Sequence, residues 1–309
     1  MLYDAIIVGG NFAGLAAALQ LARVRRKVLV VDAGEPRNRF AAESHGFLGQ
    51  DGVAPFEIKR QGEHQLLSYP DAAVWRDRVT RAEKTAGVFA VTLENGSMAK
   101  ARRLLFATGV RDVLPAVKGL AERWGTSVLH CPYCHGYEVR DRRLGALANM
   151  PWSADTALLL PDLGPTTFFT QGLFEIDPQQ ERLLTGRSII IERTPIAEIL
   201  GKDKSVEAVR LDDGRIIDLD AIFTTTRTVV TNDVPAQLGC RLQELPFGVS
   251  LEVNEFQETS VQGVFAAGDT ASMMQSATFA AASGVRAAVF IHKSLAVEDA
   301  SVGVQANLG

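Results

Sequence analysis

Within residues 3–32 a short strand, a glycine-rich turn, a helix, a second strand and an acid follow one another, and few folds accept that order. Ile6-Ile7-Val8 is apolar and β-branched, Gly9-Gly10-Asn11-Phe12-Ala13-Gly14 supplies the turn, and residues 15–23 are rich in alanine and leucine. Residues 27–31 make a second β-branched strand that ends in Asp32. Two parallel strands joined through a helix place such a turn at the carboxyl edge of an α/β sheet. There a helix N-terminus offers unpaired N–H groups and a positive dipole end to a pyrophosphate, while a distant acid takes ribose hydroxyls. A bare structural turn would use the same glycines, but the acid at the end of the second strand favours a ligand. The sequence departs from G-x-G-x-x-G at Asn11, a residue type that tolerates left-handed backbone angles better than most. Gly9, Gly10, Asn11, Phe12, Ala13, Gly14 and Asp32 are therefore the candidate dinucleotide-binding residues.

Two later segments repeat the strand-to-turn shape. Leu104-Leu105-Phe106-Ala107-Thr108-Gly109 is one; Gly263-Val264-Phe265-Ala266-Ala267-Gly268-Asp269, followed by a small-residue helix over about 275–292, is the other. Together with the first turn they resemble the three FAD fingerprints of the two-dinucleotide-binding-domain flavoproteins. The resemblance implies FAD as cofactor, held in part by Ala107, Thr108, Gly109 and Gly268. It implies Asp269 at the ribityl-phosphate region, and a helix opening near Ser276 and Ala277 that points its N-terminus at the flavin pyrimidine end.

The FAD segments lie at the two ends of the chain, so an FAD domain built from them is discontinuous. The sequence predicts an α/β protein of two Rossmann-like dinucleotide-binding-type domains, the second inserted in the first. The FAD domain takes residues 1–114 and 229–309, and the insert residues 115–228. A chain of 309 residues suits two domains of ordinary size. This layout resembles the low-molecular-weight thioredoxin reductases over nearly the whole chain.

Near the start of the insert stands Cys131-Pro132-Tyr133-Cys134-His135-Gly136, with two of the chain's 3 cysteines. Two thiols separated by two residues close into a small ring and reopen with little backbone movement, as a reversible two-electron couple requires. A half zinc site is the alternative, but Cys240 lies in a separate Leu-Gly-Cys-Arg-Leu segment with no partner at zinc-ligand spacing. No metal is expected, and Cys240 reads as a packing residue. Within the reductase-like family, histidine after the second cysteine resembles the gliotoxin- and holomycin-type dithiol oxidases and the reductases that have dropped pyridine nucleotides. The resemblance implies that Cys134 faces the flavin and that Cys131 attacks a substrate disulfide. His135 stands where the reductases usually carry an aspartate proton donor. Imidazole does the same acid–base work near neutral pH; a merely local hydrogen bond is the alternative. His130 is a weaker acid–base candidate. His45 sits in the loop after the ribose acid, as a structural histidine or one approaching the flavin, and Tyr133 shapes the motif.

A second glycine fingerprint with a basic cluster for NADPH is what the reductases carry just after the cysteine helix. Here the strand Leu144-Gly145-Ala146-Leu147 leads into Ala148-Asn149-Met150-Pro151-Trp152-Ser153, with no glycine in the turn and a proline that removes a donor. Residues 144–181 contain no Lys or Arg, but do contain Asp155, Asp162, Glu175, Asp177 and Glu181. A cofactor bearing several phosphates calls for cations, so the insert is expected to keep its fold without its nucleotide.

A net charge of −4 gives no electrostatic reason to expect nucleic acid or an anionic membrane as partner. With no recognisable export signal and no long apolar run, the chain reads as cytoplasmic. Three functions remain open at this point. The first is an FAD-dependent disulfide reductase of a thioredoxin-like protein or small-molecule disulfide, fed by a ferredoxin-type or other non-NADPH donor. The second is an oxygen-dependent dithiol oxidase of small-molecule dithiols, and the third a redox sensor or binding flavoprotein. The resemblance further implies a homodimer, and residues 297–309 read as a polar, small-residue tail, mobile or draped over a partner chain.

Overall fold

The computed structural model describes residues 1–306. In chain order the first part contains β1 (Leu2–Val8), α1 (Phe12–Arg23), β2 (Val28–Val31), α2 (Pro55–Leu67), β3 (Ala72–Trp75), β4 (Val79–Thr85), β5 (Val88–Leu93), β6 (Met98–Phe106) and β7 (Val110–Val113). The middle contains β8 (Val128–Leu129), α3 (Pro132–His135), β9 (Leu144–Leu147), α4 (Ser153–Leu159), β10 (Thr166–Phe169), α5 (Pro178–Gly186), β11 (Ile190–Glu192), β12 (Ile196–Leu200), β13 (Ala208–Leu211), β14 (Ile216–Asp218) and β15 (Ala221–Thr224). The last part contains β16 (Arg227–Val230), α6 (Val234–Gln237), β17 (Leu242–Leu245), β18 (Gly248–Leu251), β19 (Val264–Ala266) and α7 (Ala277–Ala306).

These elements form two compact units: Met1–Arg39, Pro55–Arg111 and Thr228–Gly309 make the first, and Phe40–Ala54 with Asp112–Arg227 the second. The boundaries fall inside β7 and β16. Phe40–Ala54 groups with the second unit, whereas sequence reasoning places it with the first. The cause is local packing: Phe40 lies against Gly125, where a Cβ would stand 2.6 Å from the Phe40 Cβ, and His45 faces Glu138.

In the first unit the sheet runs β3-β2-β1-β6-β5-β4, with β19 beside the C-terminal half of β6. β3, β2, β1, β6 and β19 are mutually parallel. Because side chains alternate along a strand, β1 feeds two cores. Ala5 and Ile7 pack with Ala17, Ala18 and Leu21 of α1 and Ala288, Ile291 and Leu295 of α7. Ile6 and Val8 pack on the other face with Leu29, Phe89, Leu104 and Phe106. α1 and α7 approach closely because Gly284 has no side chain; a Cβ there would meet the Ala13 carbonyl oxygen at 2.1 Å.

α7 is longer than its small-residue composition suggests. The expected loose tail from residue 297 is helical through Ala306, and residues 307–309 lie outside the described part. Ion pairs hold the extra turns: Arg102 and Arg103 reach Glu298, and Arg102 and Arg26 reach Asp299. No helix among the described residues is long and apolar enough to cross a membrane.

The second unit has a parallel sheet of order β11-β10-β9-β15-β8 and an antiparallel sheet β12-β13-β14. Its core joins Ala146, Phe168 and Phe223 to Ala154, Ala157 and Leu184 of the covering helices.

Candidate active site

In the first unit three turns stand in a row at one sheet edge. The register pairs Val8 with Phe106 and Phe106 with Ala266, so Gly9, Ala107 and Ala267 emerge side by side. Gly9 takes φ +107°, and a Cβ on it would lie 2.3 Å from the Ala107 carbonyl oxygen. Gly10 packs on Asp32, its would-be Cβ 2.8 Å from the Asp32 Cβ and its N–H donating to Asp32 Oδ1 at 3.2 Å. Gly14 lets α1 close on the turn, since a Cβ there would collide with the Gly9 carbonyl oxygen at 1.8 Å. Asn11 is no left-handed residue: its φ of −106° and ψ of −159° are extended, and Gly9 carries the unusual angle instead. The Asn11 side chain makes no cap bond to α1 and reaches Asn38 at 3.5 Å. Phe12 and Ala13 form the first turn of the helix.

Asp32 is 6% exposed and accepts from four groups: Gly10 and Gly34 N–H, Lys59 Nζ at 2.6 Å and Arg76 at 2.7 Å. Burial pushes its carboxyl up, but the Lys59 ammonium outweighs this, helped by the two backbone donors, and holds it below the usual carboxylate range. Lys59 and Arg76 escaped sequence reasoning because neither belongs to a motif, and the contact spans 27 and 44 residues.

The other two turns complete the cradle. Thr108 Oγ1 reaches Thr270 Oγ1 at 3.4 Å, and Gly109, at φ +66°, faces open space. Gly268 takes φ +77° within a 3₁₀ turn and donates to Ser283 Oγ at 2.8 Å. Asp269 pairs with Arg37 at 3.3 Å, a cation that the sequence did not flag. Ser276 caps α7, its Oγ accepting from Phe279 N at 3.2 Å, and Ala277 opens the helix. Side-chain-free glycine positions, an open helix N-terminus and a buried acid fit an adenine dinucleotide such as FAD.

In the second unit Cys131 and Cys134 are joined as a disulfide, with Cα atoms 5.3 Å apart. Pro132 opens α3 at a position where no N–H is needed, and His135 closes it. Gly136 is obligatory, because a Cβ would meet the Pro132 carbonyl oxygen at 2.3 Å and Leu163 Cδ1 at 2.4 Å. Half-burial pushes the His135 imidazole below its ordinary range; the Glu138 charge opposes this and the His45 charge adds to it. The net shift favours the uncharged imidazole. Tyr133 is 79% exposed and so does not shape the motif by packing. Cys240 is buried beside Thr259, and burial raises its thiol pKa, so it is an inert thiol of the first unit. Among the described residues no group of three or more His, Cys, Asp or Glu side chains is arranged to hold a metal.

The turn after β9 has filled itself. The Ser153 hydroxyl accepts from both Asn149 N at 3.1 Å and Met150 N at 3.3 Å. Asn149 Nδ2 is spent on the Thr225 carbonyl. α4 is only seven residues long. Past β10, Gln171 accepts from Ile196 N at 2.7 Å, where a nucleotide-binding strand would end in a polar or basic ligand residue.

Known proteins place these features. The family model described as pyridine nucleotide-disulphide oxidoreductase matches residues 3–146 and 175–284. The match lapses over the self-filled turn and the stretch poor in cations. The chain is 31% identical to thioredoxin reductase sirT of Leptosphaeria maculans over 303 residues, 93% of this chain and 92% of that protein. It is 33% identical to thioredoxin reductase tcpT of Claviceps purpurea, covering 91% of this chain and 90% of that one. Among solved structures, an oxidoreductase from Agrobacterium tumefaciens superposes with a TM-score of 0.92 at 45% identity, covering 96% of this chain and 99% of that chain. The crystal structure of HlmI superposes with a TM-score of 0.91 at 34% identity, covering 98% of this chain and 96% of that one.

Proposed function

The chain belongs to the pyridine nucleotide-disulphide oxidoreductases and is a thioredoxin reductase-like enzyme; on that premise we propose that it exchanges two electrons between FAD and the Cys131–Cys134 disulfide without using a pyridine nucleotide. The observation that carries this reading is the contrast between the glycine-built turn at Gly9–Gly14 beside the buried Asp32 and the glycine-free turn whose Asn149 and Met150 amides Ser153 consumes. FAD, when bound, supplies the two-electron partner for the disulfide. The residues proposed to hold it are Gly9, Gly10, Asn11, Phe12, Ala13, Gly14 and Asp32 at the adenosine and pyrophosphate end. Ala107, Thr108, Gly109, Gly268, Asp269, Ser276 and Ala277 serve the remainder.

The chemistry of the protein's own residues is thiol–disulfide exchange. In the reducing direction the Cys131 thiolate attacks a substrate disulfide, one substrate sulfur leaves as thiol, and a mixed disulfide forms. The Cys134 thiolate then attacks Cys131, restoring the Cys131–Cys134 bond and releasing the second substrate thiol. His135 takes the proton from the attacking thiol and returns it to the leaving one. A thioredoxin-like protein or a small disulfide serves as substrate, and a ferredoxin-type protein as donor.

A second direction is favoured by one observation. Half-burial shifts the His135 imidazole towards its uncharged form, which suits a base that deprotonates an incoming substrate dithiol. That thiolate would break the enzyme disulfide, the substrate would leave as its own disulfide, and oxygen would take the electrons from the reduced flavin. Turnover with a dithiol under air, followed by peroxide yield, separates the directions. Peroxide equal to dithiol consumed selects the oxidase; turnover only with a low-potential donor and a disulfide selects the reductase. In both, Cys134→Ser leaves a yellow protein and lowers turnover by at least about 10³-fold. Undiminished turnover in that variant would sink the redox role and favour a sensor or binding flavoprotein. The homodimer is tested by sedimentation of the same preparation.

A further inference from the structure

Asp32 is the acid on which an adenosine ribose is expected, yet every place on its carboxylate is taken. Oδ1 accepts from the Gly10 and Gly34 N–H groups at 3.2 Å each, and Oδ2 accepts from Lys59 Nζ at 2.6 Å and the Arg76 guanidinium at 2.7 Å. A carboxylate offers about four lone-pair sites, so a ribose hydroxyl that donates here must first displace a donor. The four donors are not equally movable. Two are backbone amides. Lys59 lies on α2 with its side chain only 10% exposed, and pulling it off Asp32 would leave a buried ammonium unpaired. The Arg76 side chain is 53% exposed, and its other guanidinium nitrogen already holds a second carboxylate, Glu63. Releasing Arg76 from Asp32 therefore strands no charge. The backbone sets its reach: Asp32 N–H donates to the Trp75 carbonyl at 2.9 Å, so Arg76 leaves β3 beside the acid at the carboxyl edge of the sheet. The approach past Gly34 is open, since a Cβ there would meet nothing within 4 Å.

We propose that Arg76 is a displaceable latch on Asp32, a positioning residue that holds the acid in the empty site and gives up its place on Oδ2 to a ribose hydroxyl of FAD. The released guanidinium stays on Glu63, while Lys59 and the two amides keep the carboxylate in place. A ligand with a ribose hydroxyl replaces the bond it breaks, and one without cannot, so the latch adds selectivity at the adenosine end. All of these residues belong to the first unit. The inference rests on the reading of FAD as the cofactor with its adenosine at Asp32.

Diluting the FAD-loaded protein and reading released flavin by its fluorescence gives the dissociation constant. Arg76→Met keeps the stem but removes the donors, and should tighten FAD binding by about 10-fold, because the hydroxyl no longer exchanges for an existing charged hydrogen bond. Glu63→Gln removes the alternative partner, leaves Arg76 on Asp32, and should weaken FAD binding. Both signs oppose the general effect of charge, since losing a cation disfavours an anionic ligand and losing an acid favours it. Added ADP competes for the same end. Its competition constant should tighten in Arg76→Met as that of FAD does, whereas 2′,3′-dideoxy-ADP, which lacks the hydroxyls, should show no gain. Equal or weaker FAD binding in Arg76→Met, or an equal gain for the dideoxy compound, overturns the latch. If Arg76→Met folds poorly, Glu63→Gln still decides: unchanged or tighter FAD binding overturns the latch as well. The underlying reading fails separately. Unmodified protein that carries no FAD and takes none up sinks the flavin and the latch with it, whereas FAD bound equally by parent and variants removes the latch alone.

Discussion

Two strand–turn–helix corners in this chain follow the same plan and end differently. β1, its turn and α1 carry glycines at every point where backbone must approach backbone. β9, its turn and α4 keep the topology, but the turn holds no glycine and Ser153 accepts from its Asn149 and Met150 amides. The buried acid after β2 has no counterpart after β10, where Gln171 is tied to Ile196. Topology alone therefore does not make a nucleotide site; the glycines that let a ligand approach the turn and the buried acid beside it are what the second corner lacks.

The comparison breaks most sharply at the glycine. In Gly9→Val a Cβ would be forced to 2.3 Å from the Ala107 carbonyl at a φ of +107°, and FAD affinity should fall by at least about 10²-fold. Trp152→Ala in the second corner should leave flavin content unchanged; absorbance at the flavin band after gel filtration reads both. Next in size is Asp32→Asn. The Asp32 and Lys59 side chains are 8% and 10% exposed, so this change strands a buried ammonium and should cost about 3 kcal/mol in urea unfolding of the apoprotein. Lys59→Met in the same chain should recover most of that loss. If the single variant is as stable as the parent, the pair does not organise the site.

Ser153→Ala sharpens the other corner. It frees the Asn149 and Met150 amides and should cost about 1 kcal/mol, yet NADPH should still bind no tighter than about 1 mM, because residues 144–181 contain no Lys or Arg. Calorimetric binding at micromolar Kd would show that Ser153 alone keeps the nucleotide out. Smallest is the pH effect. The folded His135 pKa lies below the ordinary 6.5, so the unfolded chain binds the extra proton first as pH falls. This contribution to stability is complete above 6.5 and is lost as pH drops towards the folded value. The rate of disulfide reduction by dithiothreitol should show its acid limb below 6.5 for the same reason. A limb above that value would mean that the Glu138 charge dominates.

The first corner was legible in sequence because every signal lies within one βαβ unit: the strand, the glycines, the helix and the acid are local. The cysteine motif was legible for the same reason. What the sequence hid was long-range. Lys59 and Arg76 on Asp32, Arg37 on Asp269 and His45 on Glu138 are contacts between ordinary charged residues with no periodic pattern to announce them. Glycine deletion at Asn11 suggested a left-handed residue there, but the backbone moves that angle to Gly9. The last turns of α7 read as a loose tail because their anchors, Arg102 and Arg103, lie some two hundred positions earlier in the chain on β6. Compositional decay of the second corner was visible as missing glycines and missing cations, whereas its mechanism, a serine hydroxyl turned onto two amides, needed coordinates.

The central claim is that the second corner no longer admits a pyridine nucleotide while the dithiol still communicates with the flavin. Anaerobic rapid mixing of the FAD-loaded protein with stoichiometric NADPH, NADH or a small dithiol tests it most directly. Flavin that stays oxidised with either nucleotide, and bleaches with the dithiol only when Cys131 and Cys134 are present, is the predicted result; rapid stoichiometric bleaching by NADPH or NADH would contradict it.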